Sequence, residues 1–106
     1  MGFLNFFRRE DINLGVEEYK TTDGAVLIDV RTAEEYKEGH IDGSINIPLD
    51  QIMTVNNIIK DRETPIFVHC LSGSRSGQVV SYLQQMGYKK AQNIGGISHY
   101  QGKVVK

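Results

Sequence analysis

Two hydrophobic periods alternate along this chain, and that alternation constrains its fold more than any single residue does. Short apolar runs, "AVLIDV" (Ala25 to Val30), "SINIP" (Ser44 to Pro48), "PIFVHC" (Pro65 to Cys70) and "AQNIGG" (Ala91 to Gly96), are interrupted by helical patterns, "TAEEYKEG" and "SGQVVSYLQQMG". Strands alternating with helices require crossover connections and hence a parallel sheet. "AVLIDV" and "PIFVHC" are nearly continuous in Val, Ile and other apolar residues, the pattern of strands covered on both faces. They are expected side by side in the middle of the sheet. Thr32 followed three residues later by Glu35 forms a capping box, so a helix is expected just after "DVR", stopping near Gly39. Val79, Val80, Leu83 and Met86 trace one apolar face of a helix running from Ser76, with Gly87 as its C-terminal cap. "TVNNIIKDRET" reads as a short helix and a surface loop.

A chain of 106 residues supports one core and is too short for two. The expectation is a single domain over 1–106, with residues 1–9 an N-terminal extension or edge cap and 103–106 a C-terminal tail. Phe3, Phe6 and Phe7, followed by Arg8 and Arg9, would share one helical turn. One turn buries too little to hold a bilayer, so covering the core's edge is its expected role. A net charge of -1 gives no electrostatic case for nucleic acid. No apolar run approaches the roughly 18 residues of a membrane span, and the start lacks the signature of a secretory signal. A lone cysteine cannot form an internal disulfide, which suits a reducing compartment, and the cytoplasm is expected. Three histidines and one cysteine show no close Cys/His pairs, and neither a dinucleotide fingerprint nor a Walker loop occurs, so no metal or cofactor is expected.

The cysteine stands in "FVHCLSGSRSG", Phe67 to Gly77. Ligands of open parallel sheets bind beyond the carboxyl ends of the strands, where Cys70 is expected. Leu71, Ser72, Gly73, Ser74 and Arg75 separate it from Ser76, and most are small enough for the backbone to curl with its N–H groups turned inward. A thiolate there gains from the amides, from the helix dipole and from Arg75 if its guanidinium folds in, so Cys70 is expected to have a lowered pKa and to act as a nucleophile.

"LIDVRTAEEYKEGHIDGSINIP", "CLSGSRS" and "NIGGI" together resemble the rhodanese-like single-domain sulfurtransferases, from about Ile12 to about Gly102. The resemblance implies an α/β fold with a central parallel sheet of about five strands flanked by helices on both faces. It implies sulfane sulfur transfer. Cys70 would take sulfur from a small anionic donor such as thiosulfate as a persulfide, then pass it to cyanide or to a thiol or protein acceptor. The amides of Leu71, Ser72, Gly73, Ser74, Arg75 and Ser76 would cradle the outer sulfur, and Arg75 would help bind the donor. Asp29 and Arg31 would brace the fold beside the loop, and His40 would be a fold element satisfied by backbone. His99 stands near a position where the family often carries tryptophan.

Cysteine phosphatases and arsenate reductases share a similar "HC", glycine-rich loop and arginine, with a loop longer than Leu71 to Ser74. A smaller ring suits a single sulfur atom better. Rhodanese-like folds also serve as binding modules that have lost the cysteine, whereas this chain keeps Cys70. With no second cysteine to resolve a persulfide, the sulfur would leave to an external acceptor, which also fits a sulfur carrier. His69 could stabilise the thiolate or face the sheet.

Overall fold

The computed structural model describes residues 11–106; the aromatic turn at Phe3 to Phe7 lies outside them. Helix α1 (Ile12–Lys20) leads into strand β1 (Val26–Asp29), helix α2 (Ala33–Glu38), strand β2 (His40–Ile41) and strand β3 (Ile45–Asn46). A 3-10 segment (Leu49–Thr54), helix α3 (Val55–Ile58), strand β4 (Ile66–Cys70), helix α4 (Ser74–Gln85), strand β5 (Ala91–Gly96), a 3-10 turn (Ile97–His99) and strand β6 (Val104–Val105) follow.

The main sheet has the order β3-β1-β4-β5 with every pairing parallel, so the two most apolar strands are its centre, as their composition predicts. Side chains alternate across it. Ile28, Ile66, Val68 and Cys70 join the cluster with Val79 and Leu83 of α4 and Val55 of α3, whereas Leu27 and Phe67 pack with Ile12 and Val16 of α1. Burial on both faces is what the continuous apolar runs require.

The sheet has four strands where about five were expected, because β2 turns away. A tight turn, closed by the Ser44 N–H donating to the Ile41 carbonyl at 3.0 Å, separates it from β3. His40 and Ile41 pair instead, antiparallel, with Val105 and Val104. Residues 103–106 therefore contain a strand rather than a plain tail.

The capping box at Thr32 and Glu35 is formed in both directions, and Gly39 caps the other end of α2. Helix α4 begins two residues before the expected Ser76. Gly73, at φ 103°, is its N-cap, and the Gly73 carbonyl accepts the Gly77 N–H at 3.1 Å, which brings Ser74 and Arg75 into the first turn. A left-handed residue at this bend favours glycine. The pattern reading had no element for α1. Its signals are an Asp11 N-cap, whose carboxylate accepts the Asn13 N–H at 3.0 Å, and apolar Ile12 and Val16 one turn apart.

Candidate functional site: the loop between strand β4 and helix α4

Strand β4 ends on Cys70 and α4 starts at Ser74, so three residues make the entire bend. The chain folds back over the sulfur. The Gly73 N–H donates to Cys70 Sγ at 3.0 Å, and the Ser76 N–H and Ser76 hydroxyl each lie 3.4 Å from it. Cys70 is fully buried. Burial pushes the thiol up, but the Ser76 hydroxyl and the N–H groups of Ser76, Gly73 and Ser72 outweigh it and hold the pKa below the ordinary thiol value. Every one of these donors belongs to the loop or to the first turn of α4, whose dipole acts in the same direction.

Gly96 supplies the floor. It pairs in register with Cys70, and a Cβ at this position would run into the Leu71 carbonyl and Ser72 Cα, so only glycine lets β5 pass beneath the loop. Leu71 itself is 44% exposed, leaving an apolar side chain at the mouth.

Asn93 is a second support that the sequence reading did not single out, although it opens the quoted "NIGGI". Its amide donates to the Gly73 carbonyl at 3.1 Å, and its Oδ1 accepts from the Ser76 hydroxyl at 2.7 Å and from the Gly95 N–H at 3.0 Å. The two backbone partners fix which end of the amide faces Ser76. Asn93 thus holds Gly73 and Ser76, two of the three residues that donate to the sulfur, and competes with the sulfur for the one proton of the Ser76 hydroxyl.

Arg75 lies in the first turn of α4, and its guanidinium is engaged end-on by Glu35 of α2, Nη1 to Oε1 at 2.9 Å and Nη2 to Oε2 at 3.2 Å. The hydrogen bond from Arg75 is the chief reason that the Glu35 pKa falls to about 2. The same bond raises that of Arg75, with a further rise from the nearby charge of Cys70. Glu35, named in the sequence only as half of a capping box, is therefore also the partner of the loop arginine.

Asp29 and Arg31 form a buried pair one strand away. The carboxylate accepts the Arg31 N–H at 2.9 Å and the guanidinium through Nε at 3.0 Å and Nη2 at 2.7 Å; Nη2 also donates to the Gly39 carbonyl at 2.7 Å. Asn46 ties the same corner by donating to the carbonyls of Asp29 and Arg31. His69 lies across from Asp29 in register, fully buried, its Nε2 without a hydrogen bond and 3.8 Å from Asp29 Oδ2. Burial, partly opposed by the Asp29 charge, holds its pKa below the ordinary value. It alternates with Cys70 along β4 and so faces away from the thiol. His40 sets Nδ1 2.9 Å from the Tyr36 carbonyl and stacks on the Tyr36 ring at 3.8 Å.

Among the described residues, clefts border the loop on two sides. One, of about 490 Å³, has Ser72, Gly96, His99, Asp11, Asn13 and Gln101 in its wall, so His99 does stand at the site's edge. The other, of about 250 Å³, is lined by Val30, Thr32, Pro48, Leu49, Asp50 and Arg75. A larger cavity of about 610 Å³, between α1 and the segment around Tyr100 to Lys103, contains no residue of the loop. Among the described residues, no group of three or more His, Cys, Asp or Glu is arranged to hold a metal ion, and no helix is long and apolar enough to cross a membrane.

The rhodanese-like domain family is matched over residues 15–103. The thiosulfate sulfurtransferase PspE of Escherichia coli K12 is 38% identical over 71 residues, 66% of this chain and 68% of that protein. The adenylyltransferase and sulfurtransferase uba4 of Ogataea parapolymorpha is 31% identical over 96 residues, which cover 90% of this chain but 25% of that protein. A solved structure described as a rhodanese with anions from E. coli aligns with a TM-score of 0.72 at 35% identity, covering 77% of this chain and 98% of that one.

Proposed function

This chain belongs to the rhodanese-like domain family, and on that premise we propose that it is a sulfurtransferase with Cys70 as the sulfur-carrying nucleophile. The observation that carries the reading is the convergence of the Gly73 N–H, the Ser76 N–H and the Ser76 hydroxyl on one sulfur atom. Such a cradle stabilises a thiolate and, after the first half-reaction, the charge of a persulfide.

With thiosulfate, the Cys70 thiolate attacks the outer sulfane sulfur, the donor's S–S bond breaks and sulfite leaves with the electron pair. The outer sulfur, now on Cys70 and negatively charged, lies under the amides of Leu71 to Ser76. Cyanide or an acceptor thiolate then attacks that sulfur, and Cys70 departs as the thiolate it began as. Two half-reactions on one residue give ping-pong kinetics. With a single cysteine in the chain, the acceptor is external, a small thiol or a protein thiol. A reducing compartment, the cytoplasm, keeps such a site in its active form.

Intact-protein mass after incubation with thiosulfate tests the cycle. The wild type should gain one sulfur atom, Cys70→Ser none, and cyanide should discharge the sulfur as thiocyanate. A folded, reduced wild type that takes up no sulfur from any sulfane donor would reject the reading.

A further inference from the structure

Among the described residues, the loop arginine is the cation that borders the Cys70 loop, and it already has a carboxylate. Glu35 meets Arg75 end-on with two hydrogen bonds at 2.9 and 3.2 Å, and Thr32 holds Glu35 in place, its backbone N–H donating to Oε1 at 2.8 Å. The cleft beside Arg75 also carries Asp50, so this flank sets one cation against two carboxylates. The cleft on the other flank, where Ser72 of the loop is exposed to it, is lined by Asp11 and His99 and, among the described residues, by no lysine or arginine. Among the described residues, a dianion approaching Cys70 therefore meets no unpaired cation in either wall.

We infer that Glu35 is a specificity-determining residue: by occupying Arg75 it tunes the site toward sulfane donors of lower charge, thiosulfonates and organic persulfides, over the dianion thiosulfate. The inference rests on the sulfurtransferase reading for its donors, but its electrostatic content concerns any reagent that reaches Cys70. With a persulfide RSSH, the Cys70 thiolate bonds to the outer sulfur, the donor's S–S bond breaks and RS⁻ leaves. With methanethiosulfonate, methanesulfinate leaves in place of sulfite. This donor copies thiosulfate with one charged oxygen replaced by methyl, so the two compare charge at nearly constant shape. Like-charge approach costs are set by the net field at the mouth, and a neutralised arginine contributes little to that field.

Glu35→Gln is the variant of choice, because glutamine at this position preserves the capping box and so the start of α2. Two readings are compared in wild type and variant: kcat/KM for methanethiosulfonate against thiosulfate, and the rate of Cys70 alkylation by iodoacetamide against iodoacetate. The second pair needs no turnover. In the wild type the less charged member of each pair should be favoured, and Glu35→Gln should shift both ratios toward the more charged member by about fivefold or more. Ratios that stay within twofold overturn the inference. A shifted alkylation ratio without sulfur uptake from either donor sustains the role of Glu35 and rejects sulfur transfer instead.

Discussion

The Asp29–Arg31 pair and the Glu35–Arg75 pair join the same two kinds of group, yet the side chains of the first are 0% and 7% exposed and those of the second 31% and 32%. Burial changes what each can do. In the first pair every oxygen and most donors are committed to neighbours in the corner of the sheet, including the Arg31 main chain and the Gly39 carbonyl. Its members cannot be separated without leaving a charge in the protein interior. The second pair is wetted on its outer side, so water replaces either partner at modest cost. The first is suited to fixing β1 and α2 relative to the loop, and the second to being adjusted by what enters the site.

Removing one partner from each pair should separate them most sharply. Asp29→Ala strands the Arg31 guanidinium and its N–H, and should lower unfolding free energy by about 3–5 kcal/mol, read from urea denaturation. A variant of normal stability that has lost only turnover would instead make Asp29 a participant in the chemistry.

A smaller effect is expected where the loop is held by neutral groups. Ser76→Ala removes one hydrogen bond to the sulfur and should raise the Cys70 pKa, slowing iodoacetamide alkylation at neutral pH by about three- to tenfold. Asn93→Ala should act in the opposite direction, since the Ser76 hydroxyl has one proton and Asn93 Oδ1, at 2.7 Å, competes with the sulfur at 3.4 Å for it. If Asn93 works through Ser76, the double variant is no faster than Ser76→Ala. Full additivity would mean that Asn93 acts on the sulfur by another route.

Beside the buried pair, His69 gives a pH-dependent test of the same interior. Its folded-state pKa is lowered by burial, so the unfolded chain binds the proton more readily. Stability is then complete above about pH 6.5 and declines as the pH falls below it, down to the depressed folded value. Melting temperatures between pH 7 and 5 should show the decline, and His69→Leu should flatten it.

The contrast between the pairs also marks what could be read from the sequence. The apolar period of β1 and β4 revealed the parallel centre, and the capping box located α2, because each is a local pattern with one satisfactory partner arrangement. The strand, small-residue loop and helix around Cys70 were legible for the same reason. The contact between Glu35 and Arg75 spans 40 residues, and nothing in either neighbourhood announces it. Asn93 was visible as part of a motif, but its role depends on which backbone groups β5 and α4 turn toward it. Helix α1 was missed because its apolar stripe, Ile12 and Val16 interrupted by Gly15, is short. Its stability comes from packing on Phe67 and Ile94, which lie far along the chain.

The smallest expected effect completes the comparison. Glu35 has a pKa lowered from 4.5 to about 2, so its pair contributes stability that is present above pH 4.5 and lost as the pH falls from there toward 2. Solvent screening limits the contribution, and Glu35→Gln should cost no more than about 0.5–1 kcal/mol at neutral pH, with less acid dependence between pH 4.5 and 2 than the wild type. Raising the salt concentration should shrink this cost while leaving that of Asp29→Ala nearly unchanged, because ions reach the outer pair and not the inner one. A salt-insensitive cost of several kcal/mol at Glu35 would mean that the mouth of the site is braced as firmly as its base, with Arg75 held for structure and not poised for an incoming donor.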